Sequence, residues 1–503
     1  MTQPRGAVVR GPGRHSRSWV LDWPGGVRRG DAEPVGAPGA GSMVKHFTGS
    51  ANPSGADGVS FPPGLHHAYL FSVFNAFSYQ IVLNSPMVLY AKTLGASATV
   101  LGIIAGMMPL LVIFQIPAAS YIPRLGFKRF VYAGWGTRVM FIFGMALVPL
   151  TGFFLKPETR LALLLTLLFG FNLSRGISSC AWLPWITALV PAPLRGKYLA
   201  RDSAVQSCAS LLTFLIAGAC LSGPTHAWQF AILFAFSAIM GAVSLSFLKR
   251  IPDAEMPQEP GAAKGRVPWR EMIRYDPFRR LLCALVGYSV ASGGLTAFVV
   301  AFLKSETGMS EAQILLLSSS AYLGGLSSLW LLGSRLDHLG SKPVLAFCHT
   351  GWVAVLGGWI CLAGGLFPVR LTSVLVLQYL MGLLVALVQM ANTRLAMAII
   401  PVMGRNHFFA IYSTIGNVTL GLAPIGWGLL IDAVGHRSPH WLGLTWGRYT
   451  VFFAAAALAF AITLALARRL HEPEAASMED LLREILIESP QRFWIRFWPR
   501  GGA

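Results

Sequence analysis

Twelve runs of roughly 20 apolar residues follow one another along this chain, and a run of that length crosses a ~30 Å hydrocarbon layer as a helix. They lie near 67–91, 97–119, 130–153, 161–190, 201–222, 227–248, 279–303, 311–333, 343–367, 371–399, 407–432 and 449–468. Only helices and closed barrels satisfy their backbone polar groups in lipid, and the alternation of barrel strands is missing here. The expected fold is therefore an all-α membrane protein with twelve transmembrane helices. Composition agrees: 12% of residues are charged, about half the roughly 25% of soluble domains.

The net charge of +19 does not point to nucleic acid, because the basic residues are spread between apolar runs rather than gathered in one patch. Seventeen Lys and Arg flank one set of span ends, among them Arg124, Lys128, Arg195, Arg280, Lys342 and Arg405. The opposite set holds seven: Lys92, Lys156, Arg160, Lys304, Arg370, Arg437 and Arg448. That bias places the first set, and both termini, in the cytoplasm of a cell whose cytoplasmic (inner) membrane holds the protein. The lipid bilayer is thus one expected partner. The six cysteines fall inside apolar runs without a C-x-x-C pair, so buried free thiols are expected, with no metal and no cofactor.

The chain repeats itself. Pro191, Arg195 and Ala200 recur as Pro401, Arg405 and Ala410, each 210 residues on. LGFKRFV from Leu125 is echoed by LGSKPVL from Leu339. Two similar six-helix bundles follow. The expected organisation is an N-terminal extension (1–65), an N-terminal bundle (66–250), a cytoplasmic linker (251–276), a C-terminal bundle (277–469) and a cytoplasmic tail (470–503). The extension is rich in Gly, Pro, Arg and Ser and reads as disordered, with Met43 as a candidate natural start. The tail has Met478, Leu481, Leu482 and Ile485 at helical spacing, which suits either a membrane surface or a docking strip on the bundle.

Gly333, Asp337, Gly340 and Lys342 match the pattern G-x-x-x-D-x-x-G-x-[KR] after the eighth span. The first-half copy keeps Gly126 and Lys128 but has Ala119 and Pro123 at the Gly and Asp positions. With twelve spans, a central linker and this loop, residues 66–469 resemble a major facilitator superfamily transporter. The resemblance implies two pseudo-symmetric bundles, alternating access to a small-molecule substrate, and a monomer. It also implies a cytoplasmic gate held by charge pairing at Asp337, with Gly333, Gly340 and Lys342 in the same loop and Arg195 and Arg405 in the repeated one. The alternative for these residues is turn geometry and topology alone.

The resemblance further implies that spans one, four, seven and ten line the cavity. Their polar residues are Asn75, Tyr79 and Gln80; Asn172, Arg175 and Ser179; Tyr288; and Gln378, Gln389 and Asn392. Interhelical hydrogen bonding is the alternative role for the uncharged ones. Arg175 is different. It stands in LTLLFGFNLSRGISSCAWLPW with no acid in the stretch, and a charge at that depth costs at least ~3 kcal/mol. Asn172, Arg175 and Ser179 share one helix face. The acids lie in tails, loops or span ends, with Asp202 and Asp432 nearest to the spans, so a cavity around Arg175 would favour anions. No H-E-x-x-H, G-x-S-x-G or Walker-type loop supports an enzyme. A transporter-like scaffold that moves nothing is the competing expectation.

Overall fold

The computed structural model describes residues 61–191, 194–254, 269–332, 340–400 and 405–470. The expectations for the extension up to residue 60, for Gly333 and Asp337, and for the tail beyond 470 fall outside the described residues.

Every predicted span is helical. The N-terminal half comprises α1 (His66–Leu83, resuming as Ser85–Thr93), α2 (Ala98–Leu111, followed by short turns to Leu125) and α3 (Phe127–Leu147). It continues with α4 (Pro157–Ser179, then Trp182–Leu189), α5 (Arg195–Cys220) and α6 (Ala227–Arg250). The C-terminal half comprises α7 (Asp276–Ser292, then Leu295–Ser305), α8 (Glu311–Leu332) and α9 (Ser341–Ala363). It ends with α10 (Leu371–Ile399), α11 (Arg405–Val434) and α12 (Arg448–Arg468). Ten of these are long and apolar enough to cross a membrane; α1 and α8 complete the predicted set. Large apolar side chains such as Met140, Leu147, Ile232 and Leu458 stand exposed on the outside, where hydrocarbon would cover them.

Two details depart from expectation. The stretch read as linker contains a short helix, Trp269–Arg274. Only Cys348 is a buried thiol; Cys208 and Cys283 are exposed and the others half-buried, Cys180 and Cys220 among them packed against core side chains.

Helices α1 and α7, at equivalent places in the two halves, are both broken. Asn84 is extended, and Pro86 follows it at the start of the next segment. In α7, Gly293 and Gly294 interrupt the helix, and Gly294 has φ +76°, a conformation glycine adopts without a Cβ penalty. Interrupted helices at corresponding positions mark binding sites in transporters.

The halves meet mainly along two helix pairs, α2 with α11 and α5 with α8. At the first pair, Gly102 lies against the Pro424 carbonyl and Gly106 against the Gly421 carbonyl, so close that a Cβ would overlap the oxygen. Packing of this kind drives helix association in lipid, where the hydrophobic effect does not. Asp432 then caps the start of α2 from the other half. Its Oδ1 accepts from Ala98 N (3.0 Å), and its Oδ2 from Thr99 N (2.8 Å) and Thr99 Oγ1 (2.7 Å). At the second pair, Thr225 Oγ1 donates to Glu311 (2.8 Å), which also holds Lys304 (2.5 Å). Both clasps lie at the end of the bundle away from the linker. Toward the linker, Ile116 and Tyr121 of the α2 chain are exposed.

A carboxylate at a helix N-terminus is worth about 1 kcal/mol when solvent-exposed. Asp432→Asn should therefore loosen this end without unfolding either half. The expected result is faster labelling of a cysteine placed at Thr99 in an otherwise cysteine-free protein. Unchanged labelling would show that the cap does not hold the halves.

Candidate functional site

The candidates of α1 face α3 and α5. Asn75 Oδ1 accepts from Trp135 Nε1 (3.2 Å) and from Arg138 Nη2. Tyr79 donates to Gln206 Oε1 (3.3 Å), and Gln206 Nε2 donates to Asp202 (2.7 Å). Gln80 donates to Ser210 Oγ (2.6 Å) and accepts from Tyr322 of the opposite half (2.9 Å). Helix α1 thus links a polar cluster inside the N-terminal half to the partner bundle.

Arg175 is half-buried beside this cluster. Among the described residues, none lies within hydrogen-bond or ion-pair distance of its guanidinium. The Tyr79 hydroxyl and the Arg138 cation are among its electrostatic neighbours. Its face-mates are engaged differently. Asn172 is buried and donates to Leu168 O of its own helix (3.0 Å), leaving Oδ1 unpartnered. Ser179 donates to Gly176 O (3.0 Å).

Arg138 is a buried cation that the sequence reading did not single out. It is 3% exposed, with its guanidinium 4.6 Å from the Trp135 ring centroid and 5.5 Å from that of Phe171. The signal that singled out Arg175, a cation inside an apolar run, applied equally to span three. Asp202 also differs from expectation in one respect: it is a buried carboxyl two turns into α5, held by uncharged Gln206 with Ser72 beside it.

On the other side, a cavity of about 280 Å³ opens between the halves. Asn84, Ser207 and Phe214 line it from the N-terminal half; Ser292, Trp352 and Gln378 line it from the C-terminal half. Asn84 and Ser292 sit at the two helix breaks, so interrupting α1 and α7 is what opens the space. Gln378 is buried here, whereas Gln389 is exposed and Asn392 half-buried. Tyr288 packs edge-on to His349 and Phe460.

The residues expected at a cytoplasmic gate are only partly among the described ones. Gly340 has φ +80° and starts α9, with Lys342 in its first turn. Arg195 reaches back to α4, donating to Thr187 O (2.7 Å) and Val190 O (3.2 Å), so it caps that helix's free carbonyls. Arg405 begins α11.

Two helical halves, pseudo-symmetric helix breaks and a cavity between them define a secondary membrane transporter. The Major Facilitator Superfamily model matches residues 68–350 and 281–498, and the chain belongs to that family, which is not enzymatic. No curated protein matches. Among solved structures, a D-xylose–proton symporter is similar at TM-score 0.63 and 13% identity, covering 82% of this chain and 99% of that one. A mutant of the nucleoside transporter NupG gives 0.62 at 10% identity, covering 81% and 100%. A POT family transporter in complex with 5-aminolevulinic acid gives 0.60 at 13%, covering 82% and 97%. At these identities the likeness shows the fold alone.

Proposed function

We propose that this transporter moves a small anionic solute across the cytoplasmic membrane by alternating access, as a monomer with both termini in the cytoplasm. The observation that carries the reading is the half-buried Arg175 guanidinium, which has no protein partner among the described residues. A cation held away from bulk water with no carboxylate beside it favours a ligand that brings the negative charge. Its planar fork of donors suits carboxylate or phosphate. The basic bias of the linker side supports the orientation. In that orientation the clasped end is external, and the arrangement described faces the cytoplasm.

The test is transport by purified protein in liposomes, with labelled malonate, inorganic phosphate and a sugar phosphate against an organic cation and a neutral sugar. Uptake of an anion but not of the cation is expected. Transport of the cation alone would overturn the anionic reading, and no flux of any solute would favour the scaffold reading that the altered first-half loop, with Ala119 and Pro123, keeps open.

A further inference from the structure

We propose that Arg138 and Arg175 together form a two-cation site that selects anions carrying two negative charges. The inference rests on the anionic reading above and narrows it. Arg175 would touch the ligand. Arg138 lies beside it on the neighbouring helix α3: its guanidinium is 5.5 Å from the ring of Phe171, one turn before Arg175 on α4, and Ser174, next to Arg175, donates to Gly134 O of α3 (2.9 Å), one turn before Arg138.

The partners of Arg138 are all neutral. Asn75 accepts from Nη2, the Trp135 and Phe171 rings face the guanidinium, and Nε has no partner. These groups orient the arginine but bring no counter-charge. Tyr79 stands near both cations, and its hydroxyl is spent on Gln206. The neighbouring acid, Asp202, is tied to Gln206 and pairs with neither arginine. Of the remaining charged groups of α4 and α5, Glu158, Arg160, Arg195 and Lys197 lie at helix ends, and Arg201 is exposed beside the Phe61 ring.

Like charges in a medium of low dielectric repel more strongly than in water. A monovalent anion on Arg175 would cancel one charge and leave Arg138 uncompensated. A second negative charge on the same ligand feels the field of Arg138 without contacting it. Arg138 is therefore a positioning residue: it fixes Asn75 and sets the field at Arg175. Its expected signature is charge selectivity rather than binding as such.

The experiment uses the purified full-length protein and follows thermal stabilisation by acetate, malonate and inorganic phosphate at constant ionic strength and about pH 8, where malonate and most of the phosphate carry two charges. For the native protein, malonate and phosphate should act at concentrations at least about tenfold below acetate. Arg138→Gln should bring that ratio to within about twofold, and Arg138→Lys, which keeps the charge and loses the fork, should retain most of it. If Arg138→Gln fails to fold, a lost preference in Arg138→Lys would overturn the proposal just as a retained preference in Arg138→Gln would. Acetate acting as well as malonate on the native protein would sink this inference and leave the anionic reading standing. No stabilisation by any of the three would remove both.

Discussion

Gly106→Leu is expected to abolish most transport while the protein still inserts and folds. Gly106 faces Gly421 across the contact between the halves, and a Cβ at either position falls on its neighbour: on the Gly421 carbonyl oxygen in one case, on the Leu110 side chain in the other. A carbonyl fixed in a helix cannot rotate aside as the tip of a side chain can, so the halves must separate. Overpacking of this sort costs about 1–3 kcal/mol. Within one bundle that cost would destabilise the fold. Here it falls on the contact that opens and closes, so it shifts the conformational balance by roughly 5- to 150-fold against the clasped arrangement. Anion uptake by proteoliposomes should fall accordingly, and a cysteine at Thr225 should react faster with an impermeant maleimide. Gly106→Ala should show the same effects in weaker form. Native uptake and native labelling in Gly106→Leu would mean that this contact is not part of the transport cycle.

The second large effect concerns Arg175. Arg175→Ala should weaken anion binding by about 2–5 kcal/mol, the range seen when one member of a desolvated charge pair is removed. Arg175→Lys should recover only part of the loss, because a point charge cannot reproduce two parallel donors. Stability without ligand should change little, since no described residue loses a hydrogen bond when the guanidinium goes. That combination separates the reading from its structural rival. A cation that braced neighbouring helices would give the opposite pattern: a lower melting temperature and poor yield in Arg175→Ala. Normal anion transport by Arg175→Ala would exclude the binding role.

Much of this architecture was legible without coordinates because its determinants are local. Run length sets whether a helix can span, loop charge sets the expected orientation, and the 210-residue recurrence of Pro191, Arg195 and Ala200 announces two halves. Arg175 stood out for the same reason: a charge in an apolar run is visible one residue at a time. Arg138 was equally visible and went unread, so that miss belongs to the reading and not to the sequence. The chain's partners were a different matter. Gly102 and Gly106 gave no hint that they face Pro424 and Gly421, and Asp432 caps a helix 334 residues away at Ala98. Arg195, expected in the gate loop, also donates to a carbonyl of α4. Asp202 looked like a span end and lies buried two turns into its helix. For the glycines and Asp432 the reason is the same. A helix that is apolar on every side carries no stripe to say how it is turned about its axis. Only packing against the other eleven chooses the face, and with it the carbonyl, carboxylate or cation that each side chain meets.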